Sequence, residues 1–346
     1  MKEWSSTVEA SNKAKFLEVF GGPARVIVVA EIGNNHEGDF GLAREMVASA
    51  AECGADAVKF QHFVPHRYVA NSETTRLARL QQFALTNDQV LSLFEFSRAL
   101  GLEPFATAFD VETQNWLAAH QRVLKIASGD NTFIDLLSAA GNLKIPTIVS
   151  TGFLAHQQVL DLETWWSREF PTPLALLHCV SAYPSNPSEL NLRSIPNLAR
   201  IMPATPIGFS DHSVGITASL AAVALGAFLI EKHFTLDHHQ SDFRDHQLSA
   251  DPNEFREIVR GTRAIEQAIG DGFKVVTDNE LLQRNSARRS AAARHDLSEG
   301  AVVTKNDIIY LRPGDGFSPG REAELLGRTL VRSLQEGQLI TESDVM

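Results

Sequence analysis

From Val26 to about Ile269 the chain alternates two hydrophobic rhythms. Short β-branched or apolar runs recur as VIVVAE (26–31), AVKFQ (57–61), EPFATAF (103–109), VLKIAS (123–128), PTIVST (146–151), LALLHC (174–179), IGFS (207–210) and FLIEKHF (228–234). Between them lie stretches with helical spacing and recognisable ends. Asp39 is placed to cap FGLAREMVASAAEC before Gly54, Asp110 to cap VETQNWLAAH, and Asp251-Pro252 to open NEFREIVRGTRAIEQAI. In TNDQVLSLFEFSRAL (86–100), Val90, Leu91, Phe94 and Leu100 fall on one helical face. The runs barely alternate, so the strands they predict are buried on both faces, as in parallel sheets. Eight such strands, each followed by a helix, predict a (β/α)8 TIM barrel. A doubly wound sheet is the competitor, and it lacks support because no Gly-rich dinucleotide turn follows the first strand.

After Ile269 the rhythm changes. Residues 271–289 are polar and read as a linker; residues 290–346 carry short runs broken by Gly, Pro and Asp, the pattern of a small β-rich module. At about 57 residues that module is near the lower limit for independent stability, so packing against the barrel or a second chain is expected. The expected organisation is an N-terminal extension (1–22), a barrel (23–270), a linker (271–289) and the small module (290–346). Within the extension, KFLEVF is open to two readings, a cover for the barrel base or a frayed end.

Composition removes some functions. The net charge of −11 argues against nucleic acid, whose phosphates demand a basic face. No apolar run reaches membrane-spanning length, and the first 22 residues lack a hydrophobic signal core. Two cysteines, Cys53 and Cys179, make no disulfide framework and fit a reducing compartment, so a cytoplasmic location is expected.

Chemistry in a barrel gathers at the carboxyl ends of the strands, and polar residues fall there on all eight: Glu31; Lys59 and Gln61; Thr107; Lys125 and Ser128; Ser150; His178, then Ser181 and Tyr183; Ser210, Asp211 and His212; Glu231, Lys232 and His233. Lysines are rarely buried without a partner, so Lys59 and Lys125 are expected to point into the barrel mouth. The bland alternative is a structural ion pair with Glu31 or Asp130. With Ser128, Ser150 and Ser210 the lysines make a candidate phosphate or carboxylate site. His212 in FSDHSVG and His233 in EKHFTLD each end a short apolar run beside a carboxylate. Imidazoles on adjacent strand ends can share one divalent cation and leave positions open for substrate. Two protein ligands make an exchangeable site that suits manganese, with magnesium or cobalt as alternatives; Asp211 and Glu231 are candidate neighbours of the ion.

The motifs AEIGNNHEGD, ADAVKFQ, KIASGD, STGF, HCVSAYP, GFSDHSVG and EKHFTLD, in this order, resemble the sialic acid synthase (N-acetylneuraminate synthase) family, including its spore coat polysaccharide members. RRSAAA followed by LRPGDGFSP resembles the antifreeze-like (SAF) domain that closes that family's chains. The resemblance implies a barrel enzyme that condenses phosphoenolpyruvate with an amino sugar to a nonulosonic acid and phosphate. It implies that Lys59, Gln61, Lys125, Ser128, Ser150 and Ser210 contact phosphoenolpyruvate, and that His212 and His233 hold the metal. It further implies that Glu31 and Asp245 bind the sugar hydroxyls, with Ser181 and Tyr183 on the substrate loop and Glu231 beside the water on the metal. Arg312 resembles an arginine that reaches into a partner's barrel, which implies a domain-swapped homodimer. Three segments depart from the family pattern: Ser181 stands where Asn is common, SDFRDHQLS replaces a GPDH-type segment, and STGF replaces STGM. All three fall on the acceptor side, so N-acetylmannosamine, a diamino sugar and a related hexose stay open. The rivals are a related synthase acting on a phosphorylated sugar and a non-catalytic saccharide-binding homologue.

Overall fold

The computed structural model describes residues 12–20 and 25–346. Of the expected N-terminal extension, residues 1–11 and 21–22 lie outside the described residues. The chain divides into two compact units, residues 1–270 and 271–346.

In the first unit eight parallel strands close a barrel in sequence order: β1 (Ile27–Gly33), β2 (Ala57–His62), β3 (Glu103–Ala108), β4 (Leu124–Ile126), β5 (Thr147–Ser150), β6 (Leu174–Cys179), β7 (Ile207–Asp211) and β8 (Leu229–His233). The expected TIM barrel is what forms. The helix caps follow the expected chemistry, with Asp39, Asp110 and Asp251 each accepting backbone N–H groups of the first helical turn. Register pairs Glu31 with Lys59 on one side and with His233 on the other, and Ser210 with Glu231. β4 is shorter than the run that announced it, and Ser128 falls in a 3-10 turn (Ser128–Asp130) beyond its end.

Strand side chains alternate faces, and the inward set changes character partway up. Its lower layer is apolar, with Ile27, Val29, Ala57, Phe105, Val123, Ile148, Ala175, Leu177 and Leu229 in one buried cluster. Gly208 leaves the room that Leu177 fills, since a Cβ there would stand 2.6 Å from the Leu177 side chain. Residues 12–19 are helical and close this end: Phe16 and Phe20 meet Phe228 and Phe105 with ring centroids 5.9 and 6.0 Å apart. KFLEVF is therefore a cover for the barrel base. Above that solid floor the inward residues turn polar, and there the site begins.

The second unit pairs β9 (Ser290–Ala293) antiparallel with β10 (Ile308–Leu311) around a small core that includes Leu297, Phe317, Leu330 and Ile340. Residues 271–289 are not merely a connector: helix Asp278–Ala287 lies within them, opened by a reciprocal Thr277/Glu280 capping box.

Candidate active site

The upper inward layer brings together Glu31, Lys59, Lys125, Ser150, Ser210 and Glu231, all buried. Lys59 Nζ lies 3.3 Å from Glu31 Oε2 and 3.1 Å from Glu231 Oε2, while Lys125 Nζ donates to Ser150 Oγ at 2.7 Å and stands 3.8 Å from Glu231 Oε1. Ser210 Oγ donates to Glu231 Oε1 at 2.9 Å. Gln61 is 3.5 Å from Glu31 Oε1 and accepts from Asn34 at 2.8 Å. The two carboxylate Oε2 atoms touch Lys59 by charge, without well-aligned hydrogen bonds.

Four charges in so small a volume do not titrate alike. Burial pushes the Glu31 carboxyl up to about 7, against the pull of Lys59. Burial would raise Glu231 too, but Lys125 and Lys59 outweigh it and bring the group down to about 2. Burial lowers Lys125 to about 8, while in Lys59 the same penalty is overcome by Glu231 and Glu31, which raise it. The quartet titrates as a coupled set. At neutral pH it offers two ammonium groups with donors held ready, and one carboxyl near its midpoint. A small polyanion entering this floor would take over the role of the two carboxylates as counterion.

His212 and His233 come together at one edge, with ring centroids 5.5 Å apart. His212 Nδ1 contacts the Val180 carbonyl at 2.9 Å, which leaves Nε2 free. His233 is buried and its Nδ1 has no hydrogen-bond partner among the described residues. Burial, reinforced by His212 and Lys59, holds that ring well below the usual histidine range, so it is neutral, with the lone pair of one ring nitrogen available. Burial would lower His212 too, but the Cys179 thiol and the Val180 carbonyl outweigh it and raise that ring. A neutral His233 beside a second ring oriented by a backbone carbonyl fits a divalent cation, which would take the place of the proton on His212. Tyr183 packs on His212 with centroids 4.1 Å apart.

The floor holds about 50 Å3 and shares Gln61, Ser128, Tyr183 and His233 with a mouth cavity of about 890 Å3 that Ser181 and Asp245 also line. Gly152 N donates to Ser128 Oγ at 3.1 Å, and a Cβ at Gly152 would fall 2.0 Å from Ser181 Oγ, so the two loops meet over a glycine. Burial raises the Asp245 carboxyl, and Arg244 lies 3.4 Å from it. Arg312 belongs to the second unit, where it is exposed just after β10.

Three expected placements are corrected by strand parity. Asp211 and Lys232 form an ion pair 3.3 Å apart on the outer face, away from the histidines, because Ser210 and Glu231 point inward. His178 also faces outward, hydrogen-bonded to the Leu190 carbonyl at 2.7 Å and stacked on Phe209. The inward residue at the carboxyl end of β6 is Cys179, whose Sγ lies 3.7 Å from His212 Nδ1. Other residues surround the mouth: Phe153, Phe243 and Arg244 come from the divergent STGF and SDFRDHQLS segments, while Asn34, Arg76 and Arg79 were not anticipated. Among the described residues, the one cluster of three close metal-type side chains, His238, Asp251 and Glu254, lies outside this site.

A solid lower barrel beneath a charged floor, with two imidazoles side by side at its edge, is a layout suited to a small anionic substrate and a divalent cation. The NeuB family matches residues 46–274 and the SAF domain residues 288–346. The chain is 35% identical to the N,N'-diacetyllegionaminic acid synthase of Legionella pneumophila, over 95% of this chain and 97% of the relative. It is 33% identical to the spore coat polysaccharide biosynthesis protein SpsE of Bacillus subtilis, over 94% of this chain and 95% of the relative. The crystal structure of N-acetylneuraminic acid synthetase from Leptospira borgpetersenii, in complex with citrate, is similar with a TM-score of 0.71 and 35% identity, covering 76% of this chain and 92% of that one. The chain belongs to the NeuB family, the sialic acid synthase family, and its second unit carries a SAF domain.

Proposed function

We propose that the barrel condenses phosphoenolpyruvate with an amino sugar, N-acetylmannosamine-like or a diamino sugar, to give a nonulosonic acid and phosphate. The observation that carries this is the pair of buried, inward-facing ammonium groups of Lys59 and Lys125, with Ser150 and Ser210 at the same level. Lys59 and Lys125, with Gln61, Ser128, Ser150 and Ser210, hold the phosphate and carboxylate in a site of low dielectric, where each contact counts for more than in water. Held so, the donor's methylene carbon faces the acceptor carbonyl and attacks it; water then adds at the former enol carbon and phosphate leaves. Glu31 and Asp245 bind acceptor hydroxyls, with Ser181 and Tyr183 on the opposite loop, and Glu31, near its midpoint at neutral pH, is suited to take up or give a proton. A divalent cation held by His212 and His233 (manganese, with magnesium or cobalt as alternatives) would supply Lewis-acid polarisation of the acceptor carbonyl. The test is phosphate release from phosphoenolpyruvate with a panel of amino sugars, the condensed product being identified by mass; background release with every acceptor would leave a saccharide-binding role.

A second reading, a phosphorylated acceptor, is favoured by Arg76, Arg79 and Arg244 around the mouth. Sugar phosphates in the same panel separate the two.

The alkaline side of the reaction follows from Lys125. Its charge binds the donor and is lost as pH rises through about 8, far below the usual lysine range. The kcat/KM for phosphoenolpyruvate, which reports the free enzyme, is expected to fall above that pH. The bound donor's own charge holds the proton on, so kcat falls later. Lys125→Arg keeps the charge and should erase the fall; a wild-type profile flat to about pH 9.5 would remove the assignment.

A domain-swapped homodimer is part of the proposal, with Arg312 of one chain contributing to the partner's acceptor site. Phe273, Val275, Val276 and Leu282 leave an exposed apolar stretch in residues 271–289, which a second chain would cover. Arg312→Ala is expected to raise the acceptor KM by about 10-fold or more while the donor KM stays within about 2-fold. At acceptor concentrations well below KM, mixed dimers of Arg312→Ala and Lys59→Ala chains should exceed the activity of either homodimer, with the wild-type acceptor KM restored; no gain would sink the shared site. A cytoplasmic location is proposed with it, in keeping with Cys53 and Cys179, both free. Among the described residues, no helix is long and apolar enough to cross a membrane.

A further inference from the structure

Packing does not explain where Phe153 sits. The residue follows Gly152 in the turn after β5, and its backbone holds a φ of +66°, a left-handed conformation unfavourable for an aromatic residue. Its ring gains nothing in return, for 76% of the residue stays exposed. Strain of this kind persists only where neighbours over-determine it, and here they do. Asn131 Nδ2 donates to the carbonyls of Ser150 at 3.0 Å and Gly152 at 2.8 Å, while Gly152 N is bound to Ser128 Oγ at 3.1 Å. The clamped turn holds the ring at a shared wall: Phe153 lines both the mouth cavity of about 890 Å3 and a second cavity of about 970 Å3, which the loops and helices following β5 and β6 enclose.

We propose that Phe153 is the apolar platform for the acceptor and decides which sugars are used. The inference rests on reading the barrel as a phosphoenolpyruvate-condensing synthase. Phe153 lines the same cavity as the Asn34 amide and Asp245, the carboxylate placed above on the acceptor hydroxyls, so an acceptor seated there meets polar partners as well as an aromatic ring. Phe83, Phe109 and Phe243 extend the apolar part of that wall. The methyl and methine carbons of a sugar with acylamino or deoxy substituents bury against such a surface, whereas a plain polyhydroxyl sugar offers it little. The acceptor class is therefore an amino sugar with apolar substituents. A contact of that size separates competing substrates by about 10- to 200-fold.

The test compares Phe153→Gly and Phe153→Leu with the wild-type enzyme. Glycine tolerates the left-handed backbone, so Phe153→Gly is expected to melt at or above the wild-type temperature, which separates the missing ring from misfolding. With N-acetylmannosamine or a 2,4-diacetamido hexose, its acceptor KM should rise about 10-fold or more, and the preference over the unacylated parent sugar should collapse by a similar factor. The KM for phosphoenolpyruvate should stay within about 2-fold, and Phe153→Leu should keep part of the preference. An unchanged preference in an active Phe153→Gly enzyme overturns the inference alone, as does a donor KM that rises as much as the acceptor KM. Wild-type enzyme that turns over none of these acceptors overturns the synthase reading and the inference with it.

Discussion

Replacing His233 by alanine is expected to lower metal-dependent phosphate release by about 10³-fold while the chain stays folded. The magnitude comes from the Lewis-acid contribution, worth several kcal/mol, with about 4 kcal/mol corresponding to three decades in rate. Folding should survive because the ring anchors no polar partner among the described residues. It meets Tyr183 edge-on at 6.2 Å and His212 at 5.5 Å between centroids, and its Nδ1 makes no hydrogen bond that the substitution would orphan. Circular dichroism and a thermal melt check the fold. Titration with Mn²⁺, followed through the free-ion resonance, checks the site without reference to turnover. Wild-type chain should take up the ion, and both His233→Ala and His212→Ala should lose most of that uptake. Ion uptake that survives both substitutions would place the metal elsewhere, whatever happened to the rate.

The barrel was legible because its signal is repeated eight times. Runs such as VIVVAE and LALLHC are too short and too evenly apolar for surface helices, and each is followed by a cappable stretch. Lys59 and Lys125 could be placed because an ammonium inside an apolar run must find a counter-charge or an opening. Which face a residue takes at a strand end was harder to read. One position of register decides whether a polar group joins the site or the helix layer, and the segments SDH and EKH each carry both kinds. With Ser210 and Glu231 directed inward by the pairing of β7 and β8, Asp211 and Lys232 had to face out and Cys179 had to face in. The helix in residues 271–289 did have a signal, the Thr277–Glu280 capping box, hidden by a polar composition with no buried face. The arginines of the mouth had none: Arg76 and Arg79 sit on an amphipathic helix, Thr74–Phe83, whose position over the barrel end is a tertiary fact.

Replacing Lys232 by methionine is expected to destabilise the chain by about 3–5 kcal/mol, through charge rather than volume. Lys232 and Asp211 are both fully buried (0% side-chain exposure) and 3.3 Å apart. The ammonium also donates to the Ser213 carbonyl, and the carboxylate accepts from Ser213 N, Ser213 Oγ and Ser219 Oγ at 2.7–2.8 Å. Burial pulls the Lys232 ammonium below the usual lysine range, and Asp211 opposes that pull. Methionine fills most of the space, so what the substitution leaves is a carboxylate with no cation in an apolar layer. The double variant Asp211→Asn/Lys232→Met removes both charges and keeps an amide oxygen for the Ser213 donors. It should recover more than half of the lost stability, because removing a buried pair together is far less disruptive than orphaning one member. Guanidinium unfolding of the two variants beside the wild type measures the difference, and a double variant no more stable than Lys232→Met would contradict the charge argument. The pair also bears on the site: Asp211 and Lys232 alternate with Ser210, His212, Glu231 and His233 along the same two strands. An outward ion pair that fixes the register of β7 against β8 therefore fixes the spacing of the inward imidazoles.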